Sequence, residues 1–430
     1  MAGHNRACPT AAGEANDACR GNHPSVVTPE PFSLRRIAIP VYAPSFLFGL
    51  GEGAILPVIA LSVRELGGSV ALAALVVTLI GIGSLVSNIP ASIVTMRWGE
   101  RWAIVGAALW SALAMLLCVA VPDLRVFAAG IFMIGMSASV FGLARQKYLT
   151  EAVPVRMRAR ALSLLGGVMR IGMFIGPFIA AAVIHYAGIG GAYVVGLVAL
   201  LAAALIAARM PELVHHAAAA TPDDGVAPRA PTLRSIAHEH LATFATVGIG
   251  VLLVSAVRAS RQVVIPLWAD HIGLEATAAS LIYGLAAGVD MLVFYPAGKL
   301  MDRKGRNWVA VPSMVIMGLA MMLMPLAQGA VALLLASLLI GFGNGIGSGM
   351  IMTLGADYSP AAGRAHFLGI WRLLADIGSS SGPALLSALT AALSLAAGIG
   401  ATGLLGLAAA GVLWYWIPRT NARRMRPGAG

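Results

Sequence analysis

The sequence predicts an all-α membrane protein with twelve transmembrane helices, arranged as two pseudo-symmetric halves of six helices each. Three observations predict this fold class. The 430 residues are 59% hydrophobic and 11% charged, whereas a soluble domain carries about 25% charged residues. The chain contains apolar stretches that match the roughly 20 residues needed to cross a bilayer. Residue identities also recur at a displacement of 206 positions, which indicates an internal duplication.

Twelve apolar stretches of spanning length occur along the chain, six on each side of a polar linker. In the first half they cover 39–63, 70–93, 102–121, 126–150, 160–186 and 190–208. In the second half they cover 242–268, 275–299, 308–327, 330–355, 365–393 and 396–417. The predicted divisions are a disordered cytoplasmic tail (1–36), an N-terminal half (37–208), a flexible cytoplasmic linker (209–240), a C-terminal half (241–418) and a basic cytoplasmic tail (419–430).

The duplication rests on pairs of identical or similar residues at one displacement. The pairs are Gly172 and Gly378, Gly176 and Gly382, Pro177 and Pro383, Arg97 and Arg303, Gly99 and Gly305, and Glu151 and Asp357. Two six-helix halves in the same orientation are typical of a secondary transporter that rocks around a central site.

The distribution of basic residues predicts the orientation. Most of the 29 Lys and Arg residues lie on one side of the predicted spans, whereas only Arg64 and Arg125 lie on the other side. Cytoplasmic loops carry the excess of Lys and Arg, so both termini are expected in the cytoplasm and the protein in the inner or plasma membrane. Because the formal net charge of +11 resides mostly in these loops, we expect no nucleic-acid partner.

The loop after the eighth stretch reads Gly298-Lys-Leu-Met-Asp302-Arg303-Lys-Gly305-Arg306. It resembles the signature loop of the major facilitator superfamily, which usually follows the second and eighth spans. Its glycines permit a tight turn, and its charged residues can contact helix ends. In the first half only Arg97 and Gly99 are retained. The resemblance implies a gate in which Arg97 contacts Glu151, and Arg303 or Arg306 contacts Asp357.

The segment from Gly172 through Gly176 to Pro177 resembles the antiporter motif of the superfamily's proton-coupled drug exporters. Small residues four positions apart allow helices to approach closely, and proline kinks a helix. Generic helix packing is the alternative interpretation, and the second copy from Gly378 through Gly382 to Pro383 favours it. The resemblance to the superfamily extends from about residue 39 to residue 416, whereas the resemblance to exporters rests on this motif.

A glycine-rich run from Gly341 to Gly349 superficially resembles a nucleotide-binding loop. It lies inside an apolar stretch and lacks the Gly-Lys-Ser/Thr ending of a phosphate-binding loop. Close packing or bending of a helix explains the glycines better. We therefore expect neither ATP, nor a cofactor, nor a metal ion.

Ionisable residues within the apolar stretches are the sharpest functional candidates, because each is costly in hydrocarbon unless it is paired or hydrated. They are Glu52, Arg170, Arg258, Arg261, Asp290, Arg372 and Asp376. Arg372 and Asp376 have the spacing of a pair within one helix, and Arg170 and Asp290 lie at similar depth, which suggests a salt bridge between the halves. Glu52 suits a proton carrier, and the repeat places Arg258 at its equivalent position; structural pairing of Glu52 is the alternative.

These features favour a monomeric secondary transporter and not an enzyme. The favoured function is proton-coupled efflux (antiport) of small organic molecules by alternating access, as in multidrug resistance. The alternative is a proton symporter that takes up an anionic metabolite, because cations outnumber anions within the predicted spans. A non-transporting membrane sensor is a third possibility, disfavoured by the retained gating motifs. Expected partners are a small organic substrate, protons and the lipid bilayer.

Overall fold

The structure is a computed structural model that describes residues 34–153, 155–211, 232–360 and 362–424. Within these ranges it contains helices and no β-strand. Most of the predicted tail 1–36, most of the predicted linker 209–240 and the last six residues of the predicted basic tail lie outside the described residues.

The first half consists of six helices. They are α1 (Leu34–Ile55), α2 (Ile59–Glu65), α3 (Val70–Ala120), α4 (Leu124–Ala152), α5 (Val155–Ala187) and α6 (Gly190–Ala208). The 51 residues of α3 extend about 76 Å at 1.5 Å per residue, more than twice the hydrocarbon thickness of about 30 Å. A non-helical glycine, Gly99 with φ 79° and ψ 164°, divides α3 into two parts. These parts correspond to the second and third predicted stretches.

The second half begins with short helices and continues with long ones. The helices are α7 (Leu233–Glu239), α8 (Leu241–Thr243), α9 (Ile249–His271), α10 (Ala276–Lys304), α11 (Asn307–Leu323), α12 (Ala330–Ile346), α13 (Met350–Tyr358), α14 (Arg364–Ala392) and α15 (Leu395–Arg424). A π-helical segment, Phe244–Gly248, joins α8 to α9, and a 3-10 turn, Met324–Leu326, follows α11.

Helix α7 (Leu233–Glu239) lies within the segment 209–240 that the sequence predicts to be a flexible cytoplasmic linker. The helix begins where the Thr232 side chain accepts a hydrogen bond from the Ser235 backbone N–H, as an N-cap residue does. Ile236 is buried in the hydrophobic core, and this burial stabilises the short helix. The last helix, α15, also continues past residue 418 to Arg424.

Ten helical segments of the described chain are long and apolar enough to cross a membrane. Helix α3 is one of these ten segments, although the break at Gly99 divides it into two parts. Helix α14, which contains Arg372, Asp376 and the serines at 379–381, is not among the ten. The protein is therefore an all-α, multi-pass membrane protein.

The 206-residue repeat of the sequence is also a repeat of backbone conformation. Gly67 and Gly273 both have positive φ, 82° and 76°, in the turns that follow α2 and α9. Gly99 and Gly305 have φ of 79° and 92°. Glycine tolerates this region at little cost, which explains why both copies of each turn keep it.

The helix crossings repeat in the same way. A Cβ atom on Gly172 would lie 2.2 Å from the Phe46 carbonyl oxygen, and one on Gly378 would lie 2.2 Å from the Leu252 carbonyl oxygen. Phe46 and Leu252 are themselves related by the repeat. Thus α5 crosses α1 at the point where α14 crosses α9, and the two halves are pseudo-symmetric.

Two polar contacts join the halves at one end of the bundle. The Arg64 Nε lies 3.2 Å from Asp270 Oδ2, next to the turns after α2 and α9. Ser387 of α14 donates a hydrogen bond of 2.7 Å to the Ala71 carbonyl at the start of α3. We call this the Arg64 end; the turns at Gly99 and Gly305, one helix length away, form the Gly305 end.

Candidate functional site

Asp290 of α10 lies at the centre of a charged cluster between the halves. Arg261 Nη2 of α9 is 3.3 Å from Asp290 Oδ2, and Arg170 Nη1 of α5 is 4.0 Å from Asp290 Oδ1. The ion pair that the sequence suggests between Arg170 and Asp290 is therefore present, but Arg261 is the closer partner. The Arg261 and Asp290 side chains are only 12% and 13% exposed, so their mutual attraction is weakly screened.

Asn344 of α12 joins a third arginine to this cluster. Its Nδ2 donates a hydrogen bond to Asp290 Oδ2, and its Oδ1 accepts one of 2.8 Å from Arg258 Nε. Arg258 Nη1 also donates to the Gly347 carbonyl at 3.2 Å. Sequence reasoning missed Asn344 as a site residue, although a lone amide inside an apolar stretch was a signal.

The cluster borders a cavity of about 190 Å³. Its lining residues are Arg170, Met173, Arg258, Arg261, Tyr283, Ala287, Asp290, Met291 and Asn344. Three guanidinium groups and one carboxylate leave two positive charges without a counter-ion among these residues. Such a site can hold an anion, because guanidinium groups bind carboxylates and phosphates through paired hydrogen bonds.

Glu52 of α1 is half-buried and is not among the residues that line the cavity at Asp290. The basic residue whose charge acts on Glu52 is Arg145 of α4. Arg258, the repeat equivalent of Glu52, instead bonds Asn344 and Gly347. No ion pair involves Glu52 within the described chain, and Glu52 and Asp290 are both near enough for their charges to act on the Tyr283 hydroxyl.

The glycines beside Glu52 have a packing role. A Cβ atom on Gly53 would lie 2.6 Å from the Met173 carbonyl oxygen of α5, and one on Gly51 would lie 3.4 Å from that of Gly196 in α6. Close contact of α1 with α5 therefore requires a glycine at position 53, whatever the role of the Glu52 carboxylate.

Asp376 of α14 forms a second polar contact between the halves. Asn88 of α3 donates a hydrogen bond of 3.1 Å to Asp376 Oδ2, and Ser139 of α4 donates one of 2.7 Å to Asn88 Oδ1. Arg372 Nε lies 3.9 Å from Asp376 Oδ2, as the spacing of these residues predicts. All four side chains border a cavity of about 470 Å³ between the halves. Asn88 and Ser139 were not predicted from the sequence.

The second-half signature loop forms the contact that its resemblance implies. Arg306 Nε is 2.7 Å from Asp357 Oδ2, and Arg306 Nη1 is 3.5 Å from Asp302 Oδ1. The hydrogen bond that Arg306 donates to Asp357 raises the pKa of the Arg306 guanidinium above its ordinary value, so the pair stays ionised. Arg303 is exposed, and Gly298 borders open space.

The first-half loop is built differently. Lys147 of α4 contacts Glu100 and lies 3.8 Å from Glu151. Arg97 is exposed and forms no ion pair with Glu151 within the described chain, so the Arg97–Glu151 contact that the resemblance implies is not formed in this conformation. Glu100 occupies the position equivalent to Arg306 of the second half. A carboxylate partner would therefore meet a negative charge here instead of a positive one.

The glycines of both Gly-x-x-x-Gly-Pro segments lie at helix crossings. Cβ atoms on Gly176 and Gly382 would lie 2.4 Å and 2.2 Å from the carbonyl oxygens of Leu50 and Ala256. Pro177 and Pro383 follow these crossings inside α5 and α14. Because both halves use the glycines in the same way, the geometry accounts for them by packing.

The run from Gly341 to Gly349 also serves packing and bending. A Cβ atom on Gly341 would lie 2.2 Å from the Ala286 carbonyl oxygen of α10. Helix α12 ends at Ile346, and Gly349 has a left-handed φ of 82° before α13 begins. The run therefore breaks the tenth stretch next to Asn344.

Solved structures of transporters share this fold. A bacterial homologue of the human lysosomal transporter Spinster, in an inward-facing and unoccupied conformation, has a TM-score of 0.73 at 14% identity over 92% of this chain and 99% of that chain. A POT family transporter in complex with a thioalcohol-conjugated peptide has a TM-score of 0.71 at 12% identity, with 90% and 96% covered. A D-xylose-proton symporter has 0.67 at 17% identity, with 89% and 98% covered.

Sequence comparison points to the same family. The chain is 26% identical over 114 residues to the MFS-type transporter pydD of Acremonium sp, a match that spans 24% of this chain and only 20% of that relative. Residues 44–383 and 247–430 match the description of the Major Facilitator Superfamily. These matches cover well over half of the sequence, and the chain belongs to the Major Facilitator Superfamily of membrane transporters.

Proposed function

We propose that this protein transports a small organic anion by alternating access, coupled to proton movement. The observation that carries the substrate class is the cavity around Asp290, where three arginines face one carboxylate. Arg261 and Arg170 share that carboxylate, and Arg258 donates only to neutral oxygens. An anionic group in the cavity would supply the missing negative charge.

The arrangement of contacts between the halves supports alternating access. The Arg64–Asp270 and Ser387–Ala71 contacts hold the halves together at the Arg64 end. The larger cavity, bordered by Asn88 and Arg372, lies between the halves away from those contacts. Rocking of one half against the other would break the contacts at the Arg64 end and close the cavity bordered by Asn88 and Arg372.

Proton coupling is supported by carboxylates within the membrane-spanning helices. Glu52 has no ion pair within the described chain, whereas Asp290 and Asp376 are both paired. Burial without a close partner disfavours the ionised form of a carboxylate, so we propose Glu52 as the proton carrier and the other two as structural. A D-xylose-proton symporter with the same fold is consistent with such coupling.

For direction, we propose efflux by antiport from the cytoplasm, on the resemblance of the Gly172–Pro177 segment to an exporter motif. Uptake by symport is the second candidate, because the cationic cavity would equally serve an anionic metabolite that enters the cell. We further propose that each of the two parts of α3 crosses the bilayer, and that α14 crosses it as well. A monomer with twelve spans would then have both termini on the cytoplasmic side of the cell membrane.

The experiment is to measure proton movement in liposomes that contain the purified protein and a pH-sensitive dye. Organic carboxylates and organic cations are added in turn on one side. Carboxylate-evoked proton movement opposite to the substrate supports antiport, and movement with the substrate supports symport. Proton movement evoked by organic cations but not by carboxylates would reject an anionic substrate.

A further inference from the structure

A second concave site lies on the first half, apart from the cavities between the halves. It is a groove of about 250 Å³ lined only by α3 and α4. The lining side chains from α3 recur at spacing four, which places them on one face of each part of the helix. They are Pro90, Val94 and Trp98 before the Gly99 break, and Trp102, Gly106 and Trp110 after it. We call this site the tryptophan groove.

The tryptophan groove is open to the surface that would face lipid. Trp98, Trp102 and Trp110 are 59%, 48% and 44% exposed. Tryptophan prefers the boundary between hydrocarbon and water, and Trp98 and Trp102 flank the turn at Gly99. From that turn the groove runs along α3 to Trp110, eight residues or about 12 Å beyond Trp102. This length approaches half of a hydrocarbon core of about 30 Å, the depth of one leaflet.

Two basic residues lie where the tryptophan groove meets the turn. The Arg101 guanidinium is 5.1 Å from the centroid of the Trp102 ring; its Nε is buried and has no hydrogen-bond acceptor among the described residues. Arg97, next to Trp98, is exposed. Arg101 Nη2 donates a hydrogen bond to the Ala208 carbonyl, and no ion pair engages Arg97 or Arg101 within the described chain. This end of the groove therefore presents positive charge.

The second half reproduces only part of these features: Pro296 and the exposed Trp308 occupy the positions of Pro90 and Trp102. The positions equivalent to Ala103 and Gly106 carry the larger Val309 and Pro312. A Cβ atom on Gly106 would meet no atom within 4 Å, so the space beside it is empty. In the second half, the loop arginine Arg306 is already paired with Asp357. The open space beside Gly106 and the row of three lining tryptophans are therefore features of the first half.

We propose that the tryptophan groove binds an acyl chain of an anionic phospholipid whose phosphate contacts Arg97 and Arg101. The apolar length of one leaflet fits the chain, and the basic end fits the headgroup. A bound lipid would anchor the turn at Gly99, where this half lacks the counterpart of the Arg306–Asp357 pair. The site is independent of the transport pathway proposed above.

The test compares the thermal stability of the full-length protein in neutral detergent with added lipid. The probes are phosphatidylglycerol, phosphatidylcholine and inorganic phosphate. We expect phosphatidylglycerol to raise the unfolding temperature more than phosphatidylcholine does, and phosphate to have no effect. Gly106→Leu fills the groove and should abolish the difference between the two lipids. The control Gly411→Leu places the same side chain at an equally open position on α15 and should keep that difference.

A second variant tests the headgroup without filling the groove. Native mass spectrometry should find that Arg97→Gln retains phosphatidylglycerol about fivefold more weakly, since one basic residue at an anionic surface contributes about 1 kcal/mol. Arg125→Gln, an exposed arginine at the opposite end of α4, should retain it normally. The proposal would be overturned if these variants all retained phosphatidylglycerol equally. It would also be overturned if the two lipids stabilised the wild type equally, or if phosphate alone stabilised it.

Discussion

Arg64 and Asp270 occupy equivalent positions of the two halves and contact each other, with 3.2 Å between Arg64 Nε and Asp270 Oδ2. Two residues related by a pseudo-two-fold axis can touch only if both lie close to that axis. The pair therefore marks the centre of the Arg64 end, where the halves must separate if the cavity is to open on that side.

We predict that Arg64→Gln favours opening at the Arg64 end. Both side chains are more than one-third exposed, so the pair contributes at most about 1 kcal/mol and the open population rises about fivefold at most. Spin labels at Glu65 and His271 would report this as a larger fraction of long distances. Arg125→Gln, which removes another exposed arginine from this side, serves as the control and should leave the distances unchanged.

We predict that Asp290 is coupled more strongly to Arg261 than to Arg170. Replacing Asp290 with Ala leaves buried guanidinium groups unpaired, which costs about 3–5 kcal/mol of stability. Arg261→Ala in the same protein should restore more stability than Arg170→Ala, because Arg261 is closer and less exposed. Double-mutant cycles from thermal unfolding in detergent measure both coupling energies. A larger coupling with Arg170 would show that the cluster is wrongly assigned.

We predict that Glu52→Gln separates substrate exchange from proton coupling. Glutamine retains the shape of the side chain but cannot bind or release a proton. Exchange of labelled substrate between the two sides of a liposome should continue, while accumulation driven by a pH gradient should be lost. Glu65→Gln, an exposed carboxylate at the end of α2, should behave as the wild type. Gradient-driven accumulation by Glu52→Gln would leave Asp290 and Asp376 as the remaining candidates.

We predict that Gly172 is a packing residue whose counterpart in the second half is equally sensitive. A Cβ atom on either Gly172 or Gly378 would lie 2.2 Å from a backbone oxygen of the neighbouring helix. Gly172→Ala and Gly378→Ala should each cost about 1–3 kcal/mol of stability through overpacking. Gly166→Ala, in the same helix as Gly172 but facing open space, should be neutral or stabilising. If Gly172→Ala abolishes proton coupling without loss of stability, the exporter motif is functional in itself.

The sequence predicted the fold because hydropathy and the internal repeat can both be read from the order of residues, without knowledge of how the helices pack. It also placed Arg170 near Asp290 through their similar depth, but depth does not give helix rotation, so the closer partner Arg261 was not foreseen. The repeat makes Arg258 the equivalent of Glu52, but the basic residue whose charge acts on Glu52 is Arg145. Equivalent positions in two halves are related by symmetry and meet only near the axis, as Arg64 and Asp270 do.

Residues that complete the polar contacts were the hardest to predict. Asn88 and Asn344 are single amides in apolar stretches, and their partners lie on other helices. Only the packing of those helices shows that Asn344 links Arg258 to Asp290. Lys147 contacts Glu100, which stands at the position equivalent to Arg306 of the second half.

The most direct test of the anionic substrate is the effect of Arg258→Gln on carboxylate-evoked proton movement in liposomes. The substitution leaves the ion pairs of Asp290 in place, because Arg258 forms hydrogen bonds only with Asn344 and Gly347. Loss of one charge-assisted hydrogen bond of about 1.5–3 kcal/mol predicts a 10- to 100-fold higher half-saturating carboxylate concentration. An unchanged half-saturating concentration, or proton movement evoked only by organic cations, would contradict the account.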